Sequence, residues 1–159
     1  MPALWTTVLV RCLLVALFLP FSALDKILNF RSAVGQASQA AATRAVATLL
    51  ILIGLGIEIL MSTAILTGIA DRFAALILAG YCLVTAVLWK QFWRAPDFRL
   101  KGESRGRELF WDFLKNCALA GGFLLLAFGG NRAGVERFWE HPFASSHPYA
   151  TALISEQAR

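Results

Sequence analysis

Apolar residues fall into four long runs along the chain, and polar residues collect in the segments between them. The runs cover about residues 5–24, 45–67, 73–93 and 109–130. A helix needs about 20 mainly apolar residues to cross the hydrocarbon core of a bilayer. Since each run comes close to that length, the pattern predicts an all-α integral membrane protein, a bundle of four transmembrane helices.

The connecting segments differ in character. Residues 29–43 are polar and rich in small side chains, which predicts a short surface helix and a turn. The short connection at 68–71 predicts that the second and third helices are antiparallel neighbours. Residues 94–108 combine Pro, Gly and dense charge, which is typical of a solvated loop. The last segment, 131–159, is predicted to be a polar tail outside the bilayer, distinct from a four-helix domain over 1–130.

Composition supports the membrane prediction and argues against a nucleic-acid partner. Hydrophobic residues make up 58% of the chain and charged residues 16%, whereas soluble domains carry about 25% charged residues. The net charge is +5, but the basic residues between positions 90 and 115 are interrupted by acidic ones. Because no recognition motif accompanies this charge, we expect the lipid bilayer, and no nucleic acid, as a partner.

The distribution of Lys and Arg predicts an orientation. Four spans put both termini and the 68–71 turn on one side of the membrane. The other side holds more basic residues, namely Lys26, Arg31, Arg44, Lys90, Arg94, Arg99, Lys101, Arg105, Arg107 and Lys115. The positive-inside rule places the richer side in the cytoplasm. Loops 25–44 and 90–108 are therefore predicted to be cytoplasmic, and both termini periplasmic, in a bacterial inner membrane.

Two charged residues lie well inside predicted spans, where charge is costly and usually paired. Arg11 is six residues from Trp5, or about 9 Å along a helix. Glu58 is nine residues from Thr67, or about 14 Å from the same membrane face. These depths predict an Arg11–Glu58 pair in the outer half of the bundle. Such a pair could hold two helices in register, or Glu58 could carry protons or contact a polar head group or quinone.

A second polar group is predicted near the cytoplasmic face. It consists of Asp25, Lys26, Asp112, Lys115 and Asn116. Long side chains such as Lys115 can reach the headgroup region from a buried backbone position. Anchoring at the interface is therefore the simplest interpretation of this group.

Several kinds of chemistry lack the residues that they need. No histidine occurs in a predicted span, since His141 and His147 both lie in the tail. Haem held by two histidines within the bundle is thereby excluded, and a metal site is not expected. There is no phosphate-binding loop and no dinucleotide fingerprint. The sequence assigns no catalytic residue.

The residues above resemble the DoxX family of small bacterial membrane proteins, from about Arg11 to Gly130. The resemblance rests on four short motifs in the same order. They are Arg11 with Leu24-Asp25-Lys26, Ile57-Glu58 with the following ILMSTAILTG, the turn Ala70-Asp71-Arg72-Phe73-Ala74-Ala75, and Lys115-Asn116 with Ala120-Gly121-Gly122. One departure is Ala23, which stands where the family has a glycine before Lys26.

The resemblance implies a four-helix membrane fold and a link to quinone-coupled redox chemistry. Relatives act as the membrane subunit of a thiosulfate:quinone oxidoreductase, and others partner redox or stress-response proteins. The corresponding expectation is an accessory subunit of a membrane redox complex, with quinone as a candidate cofactor. Two alternatives stay open. One is a non-catalytic scaffold that uses the basic loop 94–107 and the tail, and the other is a small transporter with Glu58 as its coupling residue.

Overall fold

The computed structural model describes residues 2–39 and 41–150, which form a helical chain. The helices are α1 (Pro2–Val15), α2 (Ala23–Leu28), α3 (Phe30–Ala37), α4 (Arg44–Thr67), α5 (Asp71–Trp89), α6 (Arg105–Phe128) and α7 (Arg132–Glu140). A distorted turn over Leu17–Ser22 joins α1 to α2, and a short 3₁₀ helix, Phe92–Arg94, follows α5.

Within residues 2–39 and 41–150, four segments are long and apolar enough to cross a membrane. They are Pro2–Leu28, Arg44–Thr67, Asp71–Arg94 and Arg105–Phe128. These segments coincide with the four predicted runs to within a few residues at each end. The predicted all-α membrane bundle is therefore confirmed.

The first span is broken near its middle. Leu19 has an extended backbone, with φ −123° and ψ 109°, and Pro20 has no backbone N–H to donate to the preceding turn. The break separates α1 from α2. As a result, Ser22, at the end of the turn, and Lys26, in α2, point towards the buried face of α4.

The predicted tight connection between the second and third spans is confirmed. Gly68 ends α4 with a φ of 79°, in the left-handed region, which glycine adopts without a steric penalty. Asp71 begins α5 three residues later. We call this end of the bundle the turn end, and the opposite end, with residues 29–43 and 90–104, the loop end.

Helix α5 lies at the centre of the bundle, between α4 and α6. Its buried face is made largely of small side chains, including Ala74, Ala75, Ala79 and Cys82. Small residues allow helix backbones to approach closely in lipid, where packing drives association. Larger buried side chains, Leu78 and Phe123, fill the space between α5 and α6.

The loop 90–104 is more ordered than the predicted solvated loop. The ring of Phe92 lies 5.1 Å from that of Phe110 and 5.4 Å from that of Phe98. Asp97 accepts hydrogen bonds from the backbone N–H groups of Arg105 and Gly106, at 2.7 and 3.1 Å. The aromatic contacts and these bonds fasten the loop to the start of α6, although its charged side chains after Lys90 remain exposed.

The tail returns to the bundle after α7. The Ser145 hydroxyl donates to the Gly68 carbonyl at 2.5 Å, and the Tyr149 hydroxyl donates to the carbonyl of Leu66. The Phe143 ring lies 4.6 Å from that of Phe73. The tail therefore covers the turn end as far as residue 150, and its last residues, 151–159, lie outside the described part of the chain.

Candidate functional site

The buried charges form two separate groups at different depths. The turn-end cluster consists of Arg11, Asp71 and Ser146, with the carbonyl of Ile65. The cavity cluster consists of Ser22, Lys26, Glu58 and Tyr81. Since Glu58 is seven residues from Ile65 on α4, the two clusters are about 10 Å apart along that helix.

In the turn-end cluster, Arg11 is held on both branches of its guanidinium. Nη2 lies 2.5 Å from Asp71 Oδ2, and Nη1 donates to the carbonyl of Ile65 at 2.5 Å. The Asp71 side chain is fully buried and that of Arg11 is 6% exposed. Ser146 completes the cluster, because its N–H and hydroxyl both donate to the Asp71 carboxylate, at 2.9 and 2.5 Å. The cluster ties the first span, α5 and the tail together.

Replacing Ser146 by Ala should lower the free energy of unfolding by about 1.5–3 kcal/mol, the range for a hydrogen bond to a charged group. The substitution removes the hydroxyl that donates to Asp71 and accepts from Arg11. Detergent-induced unfolding followed by circular dichroism measures the loss. Ser38→Ala, whose hydroxyl bonds only to the carbonyl of Val34 four residues earlier, is the control for a local hydrogen bond and should cost less. Equal losses in the two variants would show that the tail contact adds nothing.

In the cavity cluster, three donors converge on one carboxylate oxygen. Oε1 of Glu58 lies 2.6 Å from Lys26 Nζ, 2.8 Å from Tyr81 Oη and 3.1 Å from Ser22 Oγ. Lys26 also donates to Ser22, at 2.6 Å. The side chain of Glu58 is 2% exposed and that of Lys26 is 17% exposed. A buried carboxylate is therefore neutralised by an amine that reaches it from α2.

The predicted Arg11–Glu58 pair is wrong. The prediction considered only charges within the first two spans and assigned Asp71 to the connecting turn. In the structure Asp71 begins α5 and faces inward at the level of Arg11, whereas Glu58 lies about 10 Å deeper along α4. Each charge has a nearer partner of opposite sign, so Arg11 pairs with Asp71 and Glu58 with Lys26.

The predicted group at the cytoplasmic face is divided in the structure. Lys26 turns inward to Glu58, while Asp112 pairs with Lys90 at 3.0 Å and with Lys115 at 3.3 Å. The Asn116 amide donates to the carbonyl of Asp112 at 3.0 Å. The remaining member, Asp25, accepts from the side chain of Asn29 instead. The five predicted residues nevertheless share one location, because all of them line the same cavity.

This cavity has a volume of about 920 Å³ and opens at the loop end. Lys90 and Asp112 line it near the ends of α5 and α6, and Glu58 and Tyr81 line it deeper in the bundle. Tyr81 is nine residues from Lys90, so the cavity reaches about 13 Å into the span along α5. Polar groups thus line both its mouth and its inner part.

One wall of the cavity is apolar and partly exposed. Leu50 and Ile53 of α4 and Val84 and Leu88 of α5 line it, and their exposed fractions range from 39% to 54%. Within a membrane span, exposed apolar side chains face hydrocarbon. The groove between α4 and α5 therefore gives the cavity an apolar, partly exposed side within the membrane-spanning part of the chain.

Gly54 brings the α4 backbone close to Tyr81. A Cβ at position 54 would lie 3.0 Å from Tyr81 Oη, which is tighter than ordinary van der Waals contact. The missing side chain makes room for the phenol beside Glu58, one helical turn away on the same face. Gly54 thus positions the Tyr81 hydroxyl for its bond to the carboxylate.

Two hydrogen-bonding groups of the cavity cluster have capacity to spare. An ammonium group has three N–H donors, and two of those on Lys26 are directed at Glu58 and Ser22. Oε2 of Glu58 is buried and has no hydrogen-bond partner among residues 2–39 and 41–150. The cluster therefore retains one unused donor beside one buried, unpaired acceptor. No group of three potential metal ligands occurs within those residues.

Sequence reasoning missed Ser22, Tyr81 and Lys90 as members of the site. One signal was available, because Ser22 and Lys26 are four residues apart and share a helix face. Gly54 and Glu58 have the same spacing. Nothing in the pattern of α5 distinguishes the inward hydroxyl of Tyr81 from one at a packing position.

Comparison with known families gives one match. The profile of the DoxX family matches residues 6–91, more than half of the 159 residues. The matched range includes Arg11, Lys26, Glu58, Asp71 and Tyr81, the charged and phenolic members of both clusters. No curated protein and no solved structure matches the chain.

Proposed function

Since the chain belongs to the DoxX family, we propose that it is an accessory subunit of a membrane redox complex and binds a quinone in its cavity. One observation carries this proposal. A buried group of hydrogen-bonding side chains lines a cavity whose wall between α4 and α5 is apolar and partly exposed. A ligand with a polar ring and an apolar tail fits such a site.

The cavity cluster has the donors and acceptors that a quinone headgroup needs. A quinone supplies reversible two-electron, two-proton chemistry. Lys26 retains an N–H that can donate to a ring oxygen. Oε2 of Glu58 is buried and unpaired, and it accepts from a ring hydroxyl once the carboxylate turns towards the cavity. The same carboxylate can take up a proton released from that hydroxyl, while Lys26 and Tyr81 hold it in place through hydrogen bonds to Oε1.

The lipid-facing wall supports a ligand that arrives from the membrane. Quinones dissolve in the bilayer, and the apolar side chains of Leu50, Ile53, Val84 and Leu88 would contact the tail along the groove. A water-soluble substrate would instead enter through the charged mouth beside Lys90 and Asp112. The apolar groove has no role for such a substrate, so the wall favours an amphiphile.

Electrons are assigned to a partner protein. No histidine lies in a membrane span, since His141 and His147 follow the last one, and the spans therefore offer no axial ligand of the usual bis-histidine kind. In this proposal the chain holds the quinone and its proton acceptor. A redox or stress-response protein supplies or removes the electrons.

The proposed location is a bacterial inner membrane with the loop end in the cytoplasm. The loop end carries most of the basic residues, including the five between Arg94 and Arg107, and the positive-inside rule places such loops in the cytoplasm. Both termini are then periplasmic. In this orientation the mouth of the cavity faces the cytoplasm, from which protons can reach Glu58.

The transporter alternative is less well supported by the packing. Towards the turn end, the cavity is followed by the buried side chains of Val15, Ile65, Leu78 and Phe123. Beyond them lies the turn-end cluster, which the tail covers. A transport cycle would have to open both layers, whereas binding of a membrane ligand requires neither to move.

Purification in a gentle detergent, with mass spectrometry of the extracted lipids, tests the proposal. We expect the wild-type protein to retain a quinone. The amount retained by Glu58→Gln should be lower by about tenfold or more, because the variant loses a hydrogen bond to a charged group. Glu136→Gln, the same change on the exposed face of α7, is the control and should retain the wild-type amount. Wild-type protein that carries a partner protein but no quinone would instead favour the scaffold. Equal amounts of quinone in wild type and Glu58→Gln would show that the quinone does not bind at Glu58.

A further inference from the structure

Residues 93–107 form an exposed surface that is both basic and aromatic, which we call the loop patch. It contains five basic and two acidic residues. One of the acids, Asp97, is already bound to the backbone of α6. Three apolar side chains are also exposed in the patch, with Trp93 at 50%, Phe98 at 41% and Leu100 at 67%.

Three cations of the loop patch have no partner within the described part of the chain. Arg99 and Arg107 donate to the carbonyls of Glu103 and Gly102. The side chains of the other basic residues make no hydrogen bond or ion pair with residues 2–39 and 41–150; these residues are Arg94, Lys101 and Arg105. Their charges are therefore available to an anionic ligand.

The position of the loop patch decides which anion can reach it. Arg94 ends one membrane span and Arg105 begins the next, so the patch lies at the level of the headgroups. Trp93, at the start of the patch, is exposed, and tryptophan favours the membrane interface. The rings of Phe92 and Phe98 fasten the loop to α6, which lowers the entropy lost on binding.

From this arrangement we propose that the loop patch binds the headgroups of anionic phospholipids in the surrounding membrane. Arg94, Lys101 and Arg105 contact the phosphates, while Trp93 and Leu100 enter the interface between headgroups and acyl chains. A basic segment next to a span is attracted to an anionic membrane surface, and each cation adds to that attraction. The proposal does not depend on the quinone, because the patch and the cavity cluster share no residue.

Native mass spectrometry of the purified full-length protein, mixed with equal amounts of phosphatidylglycerol and phosphatidylcholine, tests this inference. The wild-type protein should retain more phosphatidylglycerol than phosphatidylcholine. Lys101→Gln with Arg105→Gln should weaken its apparent affinity about tenfold or more, as expected for two surface cations. Raised salt should weaken wild-type binding in the same direction.

The matched control is Arg132→Gln with Arg137→Gln, which removes the same charge from α7 at the turn end. It should keep the preference for phosphatidylglycerol. An equal loss in both double variants, or no loss in the loop variant, would overturn the proposal. Loss of an acidic protein partner in the loop variant, with phosphatidylglycerol binding unchanged, would assign the patch to a protein instead.

Discussion

Replacing Asp71 by Asn is expected to destabilise the protein by about 3–5 kcal/mol, the usual cost of removing one partner of a buried ion pair. Arg11 would keep its charge in the span with its side chain 6% exposed. The carbonyl of Ile65 and the hydroxyl of Ser146 would remain as neutral contacts. Unfolding in mixed micelles, followed by circular dichroism, measures the change.

A double-mutant cycle separates this effect from lost packing. Arg11→Met with Asp71→Leu should recover most of the stability, because apolar replacement of both partners leaves no buried charge. Arg72→Met, the same kind of change at the next position of α5, serves as a control for removing a cation. Strictly additive losses at Arg11 and Asp71 would contradict the pairing.

Lys26→Met is the second change with a large expected effect, a loss of about 3 kcal/mol or more in unfolding free energy. It leaves Glu58 buried with Tyr81 and Ser22 as its remaining donors. Adding Glu58→Gln should restore much of the loss, since the double variant has no uncompensated charge. Lys115→Met, on an exposed side chain of α6, should change stability little. If Glu58→Gln does not restore stability to Lys26→Met, the ion pair between the two residues does not stabilise the protein.

The spans could be predicted from sequence because hydropathy and length are sufficient for them. A run near 20 residues with few charges has few structures available other than a membrane helix. The tight turn at Gly68 could be predicted for a similar local reason. Such features depend on neighbouring residues along the chain, so they survive without knowledge of how the helices pack.

The pairing of charges could not be predicted, because it depends on which helix faces lie opposite each other. Depth in the membrane favoured a pair between Arg11 and Glu58. Depth alone does not show that Asp71, the first residue of α5, faces inward. Depth also does not show the break at Leu19, which turns α2 so that Lys26 reaches Glu58. In each case the direction in which a helix begins determines which charges form an ion pair.

The covering of the turn end by the tail has a similar explanation. The sequence predicts only ordinary polar residues in a tail outside the bilayer at positions Ser145, Ser146 and Tyr149. Their role comes from contacts with positions more than 70 residues earlier in the chain. No local pattern indicates such contacts.

Binding of a quinone in the cavity is the central claim, and a fluorescence titration tests it most directly. Trp89 lines the cavity, and quinones quench tryptophan emission at short range. With the protein in nanodiscs, added quinone should quench a saturable fraction of the emission. That fraction should disappear in Trp89→Phe, and it should need about tenfold more quinone in Glu58→Gln, which lacks a charged acceptor. Quenching that rises without saturation, or that is the same in wild type and Trp89→Phe, would contradict a quinone in this cavity.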